Sequence, residues 1–116
     1  EIGVRLVGSE MCIRDRCKGF DNSAAIGTFI SLEQAGGDLQ NLDFHLDIDG
    51  CEVQRGNTAD MLFKIDDIIA YVSRFMTLKI GDLLFTGTPA GVGPVSVGQH
   101  LQGYLGGEKL LDFHIR

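Results

Sequence analysis

The stretch "LDFHLDIDGCEVQ", residues 42–54, limits the fold more than any other part of the chain. Leu42, Phe44, Leu46 and Ile48 alternate with Asp43, His45, Asp47 and Asp49, and Cys51 and Val53 continue beyond Asp49-Gly50. A period of two sends successive side chains to opposite faces of a strand. Asp-Gly suits the two-residue turn whose backbone needs positive φ. The pattern predicts a hairpin with one apolar and one wet face. A second hairpin is predicted at the end of the sequence, where Leu101, Gly103 and Leu105 meet Gly106-Gly107 and Leu111, Phe113 and Ile115 alternate on the far side.

Between the hairpins the period changes. Ile65, Ile68, Ile69, Val72, Phe75 and Met76 fall at steps of three and four, predicting one helix over 65–76. Asp66 and Asp67 near its start, and Arg74 and Lys79 near or past its end, complement the helix dipole. Two further strands are predicted: "AAIGTFISL", residues 24–32, and residues 83–86 after the turn "KIGD". The fold class is mainly β with one helix, α+β, without the regular βαβα alternation of a doubly wound sheet.

With 116 residues the chain is about one small domain. Its net charge of −6 disfavours a broad nucleic-acid interface, which depends on clustered Lys and Arg. No apolar run approaches the ~20 residues of a membrane-spanning helix. Neither a nucleic-acid nor a membrane partner is therefore expected. Cys12, Cys17 and Cys51 show neither metal-type spacing nor an even disulfide count, and no signal-peptide pattern is visible, so the expected location is the cytoplasm. Residues 1–16 lack a clean period, and "RLVGSEMCIRDR" resembles the translation of a sequencing-library adapter. They are read as a non-native segment, leaving 17–116 as the natural part of the chain.

Several polar groups invite a chemical reading. His45, Asp47 and Asp49 share one strand face at a spacing a metal could use, but the wet face of a hairpin is the stronger explanation. His100 and His114 read as surface residues, and Cys51 as a packing residue without a base beside it. The segment "TGTPAGVGP", residues 86–94, has neither the Gly-Lys-Ser/Thr ending of a phosphate loop nor a helix after it. It offers open backbone and two hydroxyls where a carboxylate could dock. On pattern alone a turn stiffened by Pro89 and Pro94 is the stronger reading.

Four segments together, "KGFDNSAAIG" at 18–27, "VQRGNTADMLF" at 53–63, "IIAYVSRFMTLKIGDLLFTGTPAGVGP" at 68–94 and the closing hairpin, resemble the fumarylacetoacetate hydrolase family, and the acylpyruvate hydrolase and 2-hydroxyhepta-2,4-diene-1,7-dioate isomerase types in particular. The resemblance covers residues 17–116 and implies the C-terminal part of a mixed β-roll, homodimeric when full length, that acts on a small 2-oxo acid. It implies Lys18 as the catalytic lysine and Asp21 as the group orienting it. Thr88 is implied to bind the substrate carboxylate, with Gly87, Thr58 and Gln54 placed in the same substrate pocket. It also implies Mg²⁺ or Mn²⁺ as a Lewis acid on the dicarbonyl. That metal is held in the family by a Glu-x-Glu pair and an Asp upstream of the KGFD-like segment, and no Glu-x-Glu occurs in this chain. The expectation is therefore no metal ligand here and an inactive fragment of an enzyme that hydrolyses a carbon–carbon bond in an acylpyruvate. The alternatives are an isomerase, decarboxylase or oxaloacetate tautomerase of the same family, or a non-catalytic β-domain.

Overall fold

A computed structural model describes residues 21–116. Four strands form one antiparallel sheet: β1 (Asp43–Ile48), β2 (Cys51–Asn57), β3 (His100–Leu105) and β4 (Glu108–His114), in spatial order β2-β1-β3-β4. Both predicted hairpins are present. Asp49 and Gly50 turn the first with φ of 51° and 81°, the left-handed pair that a two-residue hairpin turn needs. Gly106, at φ 62°, begins the second turn. The two hairpins are joined edge to edge by β1 pairing with β3, and Asp49 secures the join: its N–H donates to the His100 carbonyl at 2.9 Å and its carboxylate accepts the His100 N–H at 2.9 Å.

The pairing separates the two faces. Phe44 lies opposite Gly56 and Leu105, Leu46 opposite Gln54 and Gly103, and Ile48 opposite Leu101, which in turn faces Phe113. This is the apolar face, and Leu101, 6% exposed, is the one buried hydrophobic side chain among the described residues. The other face carries His45 stacked on Tyr104, with ring centroids 4.6 Å apart. Asp47 lies opposite Gln102 on this face, and Gln102 opposite Asp112.

The long connection from β2 to β3 carries a 3-10 turn (Thr58–Asp60) and helix α1 (Ile65–Val72). The helix is shorter than its periodicity predicts. Its last carbonyls bond in tighter turns, Arg74 N–H to Tyr71 and Phe75 N–H to Val72, so Arg74 and Lys79 fall outside it. Asp66 and Asp67 occupy its first turn as expected.

The two other predicted strands are not strands among the described residues. Residues 24–32 meet β4 through one backbone bond, Thr28 N–H to the Leu110 carbonyl at 2.7 Å, where a Cβ on Gly27 would lie 2.0 Å from that same oxygen. The segment ends in a helical turn because Ser31 and Gln34 cap each other: the Ser31 N–H donates to Gln34 Oε1 at 2.8 Å and the Gln34 N–H to Ser31 Oγ at 3.2 Å. Residues 83–86 form no ladder either. Ile26 and Phe29 instead share with Leu83 and Phe85 the walls of a cavity of about 250 Å³. The composition suits strands, but the two segments line one cavity without pairing their backbones into a ladder. Cys51, expected to pack, is exposed at the start of β2.

Candidate functional site

The loop 86–91 lies over the apolar side of β2, held there by two residues of β2 and one glycine of the loop itself. Gln54 sends its amide across the loop, Nε2 donating to Thr88 Oγ1 at 2.7 Å and to the Pro89 carbonyl at 2.8 Å. Gly56 leaves room for the proline ring: a Cβ there would sit 3.1 Å from Pro89 Cγ and 2.8 Å from Phe44 Cζ. Gly91, at φ 103°, passes so close to β2 that a Cβ would lie 3.0 Å from the Val53 carbonyl oxygen and 3.4 Å from Gln54 Cγ. The glycines and the proline therefore clamp a hydroxyl against a strand, which goes beyond the plain turn their pattern favoured.

The segment after β2 forms the facing wall. Asn57 Oδ1 accepts the Ala59 N–H at 2.7 Å, capping the 3-10 turn, and its Nδ2 donates to Asp43 at 2.9 Å and Asn41 at 3.1 Å. Thr58 pairs with Leu42 twice: its N–H donates to the Leu42 carbonyl at 3.0 Å and its Oγ1 accepts the Leu42 N–H at 2.8 Å. Gln40, to which no sequence pattern pointed, links this wall to α1. Its Nε2 donates to the Thr58 carbonyl at 3.0 Å while its Oε1 accepts the Ile65 N–H at 2.9 Å, satisfying a helix N–H that the Lys64 side chain does not cap. Between the two walls lies a cavity of about 380 Å³ bounded by Phe44, Thr58, Asp60, Gly87, Thr88 and Pro89, among others.

The sequence-predicted residues divide accordingly. Thr88, Gly87 and Thr58 line one cavity, and Gln54 bonds to one of its walls. Asp21 lies in an exposed turn. Lys18, the segment 1–16, Cys12 and Cys17 lie outside the described residues.

A hard divalent cation takes six or more oxygen ligands, or carboxylates together with several waters. Among the described residues Asp60 is the one carboxylate lining the cavity, so these walls do not fit such an ion on their own. The described residues bring metal-type ligands together elsewhere, on the wet face of the sheet. His45, Asp47 and Glu52 place ligand atoms within 4.8 Å of one another, and His45 Nε2 lies 3.8 Å from Asp47 Oδ1. Asp49, the third member suggested by spacing, is occupied by the His100 N–H, and Glu52 stands in its place. Arg55 engages both Glu52 oxygens and pulls that carboxyl below its ordinary pKa. Beyond it, His100 Nε2 meets Asp112 Oδ1, a partnership that spacing did not reveal, and stacks on His114 at 4.2 Å.

Residues 8–113 match the family model described as the fumarylacetoacetate hydrolase C-terminal domain, so the match begins within the stretch that resembles an adapter. The oxaloacetate tautomerase of Escherichia coli K12 is 47% identical over 87 residues, covering 75% of this chain and 40% of the tautomerase. A fumarylacetoacetate hydrolase family protein from Yersinia pestis CO92 superposes with a TM-score of 0.78 at 38% identity, over 92% of this chain and 54% of that one. Maleylpyruvate hydrolase from Sphingobium sp. SYK-6, solved with manganese(II) and pyruvate, superposes with a TM-score of 0.67 at 33% identity, over 74% of this chain and 33% of that one. The chain thus spans about half or less of the length of these relatives, and hydrolases and isomerases both occur among its structural neighbours. With the family model covering most of its length and the four-stranded sheet and helix matching in space, the chain belongs to the fumarylacetoacetate hydrolase family.

Proposed function

We propose that this chain is the C-terminal part of an enzyme that hydrolyses a carbon–carbon bond in an acylpyruvate, and that the cavity between residues 57–63 and 86–89 receives the 2-oxo acid end of the substrate. The observation that carries the reading is the fixed position of Thr88. Its hydroxyl is clamped by Gln54 at the wall of a cavity large enough for a small acid, next to the glycine backbone of residue 87. The pyruvate and manganese in the maleylpyruvate hydrolase structure support a 2-oxo acid substrate and a divalent cation, Mg²⁺ or Mn²⁺. Such an ion needs ligands besides the described cavity walls, in keeping with an incomplete site in this piece of the enzyme.

In this reading Thr88 donates to the substrate carboxylate and the Gly87 backbone allows close approach. Thr58 shapes the opposite wall. Lys18, oriented by Asp21, places an ammonium beside the oxyanion that develops as the carbon–carbon bond breaks. The enzyme acts as a homodimer in the cytoplasm, without nucleic acid or membrane.

The test uses the longer gene product that contains this chain, assayed with an acylpyruvate. Lys18→Ala is expected to lower kcat by about 10²-fold or more, as loss of an oxyanion donor does. Thr88→Val is expected to weaken substrate capture by roughly tenfold or more, the cost of a lost bond to a charged group. Unchanged kinetics in both variants would overturn the assignment. A second reading, oxaloacetate keto–enol tautomerisation, is favoured by the 47% identity to the Escherichia coli tautomerase. It would be preferred if oxaloacetate enol were converted while acylpyruvate was left intact.

A further inference from the structure

We infer that Gln54 is a positioning residue that occupies one lone pair of the Thr88 hydroxyl and frees its proton to be given toward the cavity, so favouring a carboxylate over its neutral amide counterpart. The inference rests on the proposed reading of the cavity as a 2-oxo acid site, and adds to it the origin of anion selectivity.

The hydrogen-bond arithmetic starts from Pro89. Its carbonyl can only accept, so the Gln54 atom 2.8 Å away must be the amide nitrogen, which removes the usual ambiguity between the two ends of a glutamine. That same nitrogen lies 2.7 Å from Thr88 Oγ1. Its two hydrogens are thereby assigned, one to Pro89 and one to Thr88. Thr88 Oγ1 accepts this bond and has a single hydrogen of its own, which must point elsewhere. The close approaches of the loop to β2 at Gly56 and Gly91 keep Thr88 beside Gln54. The oxygen keeps one lone pair and its proton, and the bond accepted from Gln54 strengthens the hydroxyl as a donor to a ligand on the cavity side. A carboxylate accepts that proton on a charged oxygen, whereas an amide accepts it only on its neutral carbonyl, in a bond about half as strong.

The experiment compares pyruvate with pyruvamide, its neutral amide, by titrating the isotopically labelled longer gene product that contains this chain and following the amide resonances of Gly87 and Thr88. The unaltered chain is expected to prefer pyruvate by about tenfold, the scale of one hydrogen bond to a charged group. Equal affinities would overturn the inference without any substitution being made. In Gln54→Met, neutral and similar in length, the pyruvate-to-pyruvamide ratio is expected to fall toward unity, mainly by loss of pyruvate affinity. In Gln54→Glu the new carboxylate accepts the Thr88 proton, and the preference is expected to reverse. Charge repulsion alone weakens pyruvate there but cannot improve pyruvamide, so a gain for the neutral ligand is the signature. If both ligands weaken together in Gln54→Met, with the ratio unchanged, Gln54 merely holds the loop and the positioning role is overturned. Thr88→Val separates this from the underlying reading: unchanged pyruvate binding in that variant would remove the cavity assignment itself, whereas lost pyruvate binding alongside an unchanged Gln54→Met ratio would remove only the inference.

Discussion

The two faces of the sheet are both rich in polar contacts, yet those contacts are of different kinds. On the wet face the ion pairs are local: Arg55 meets Glu52 and Lys109 meets Asp112, each three residues apart and exposed. Such pairs can form in a hairpin that has found no other partner, and salt screens them. On the apolar face, Gln54 bonds to Thr88 and Pro89 from 34 and 35 residues away, part of that contact sheltered from water. Those bonds exist only once the connection containing α1 has folded back over β2. The difference separates surface charge, which tunes stability slightly, from a clamp that builds a cavity.

The strongest way to break this contrast is at Gly91. Its φ of 103° is one that side-chain-bearing residues rarely adopt, and a Cβ would press on the Val53 carbonyl from 3.0 Å. Gly91→Ala is expected to cost about 1–3 kcal/mol of stability, the range for a residue held in a sparsely populated backbone region. It should also abolish the pyruvate-induced shifts at Thr88. Urea unfolding and the pyruvate titration together check this. Normal values in both would show that the loop is not rigidly seated on β2. Arg55→Ala, on the wet face of the same strand, is the control and is expected to change neither measurement.

A smaller effect is expected from Thr58→Val, which keeps the shape and removes the oxygen that accepts the Leu42 N–H at 2.8 Å. Leaving a sheltered donor without its partner costs about 1–3 kcal/mol. Because Thr58 acts within the wall, pyruvate affinity should fall less than in Thr88→Val. Urea unfolding reads the first effect and the titration the second. A larger loss of pyruvate binding than of stability would sharpen the contrast differently, moving Thr58 from wall to ligand contact.

The sheet was legible in the sequence because its signal is local. Alternation in β1 and Asp49-Gly50 specify a hairpin over a dozen residues, and the apolar steps from Ile65 to Val72 specify a helix. Residues 24–32 and 83–86 carry the same strand-like composition, but a strand also needs a ladder partner, which composition does not report. The capping pair Ser31 and Gln34 was visible as Ser-x-x-Gln and marks where the first of these segments stops. In the cavity, Thr58, Gly87 and Thr88 came from motif resemblance, and the fold brings them around one cavity, on facing walls. The partners that hold those walls were hidden. Gln40 bridges Thr58 and Ile65, 18 and 25 residues away, and no periodicity encodes such a link. The replacement of Asp49 by Glu52 beside His45 and Asp47 likewise depends on the turn and the bulge after Leu46, which shift the register across β1 and β2.

The smallest expected effect belongs to the wet face and comes from pH. Hydrogen bonds from Lys109, then His100 and Gln102, hold the Asp112 carboxyl well below the usual carboxylate range. A carboxyl whose pKa is lower folded than unfolded binds fewer protons in the native state, so its stabilisation is full above the unfolded value, near 3.9, and is lost as pH falls through the folded one. The Lys109 ammonium, raised by the same contact, has the opposite sign: its share is full below its unfolded value, near 10.4, and disappears as pH climbs beyond that. Both groups are exposed, so salt weakens the effect. Urea midpoints are therefore expected to decline modestly below about pH 4, and less steeply in Asp112→Asn or at high salt. Pyruvate binding at the opposite face, measured near neutral pH, should be unchanged in Asp112→Asn. If that substitution altered the pyruvate affinity, the sheet would be transmitting charge from one face to the other and the separation of roles between them would fail.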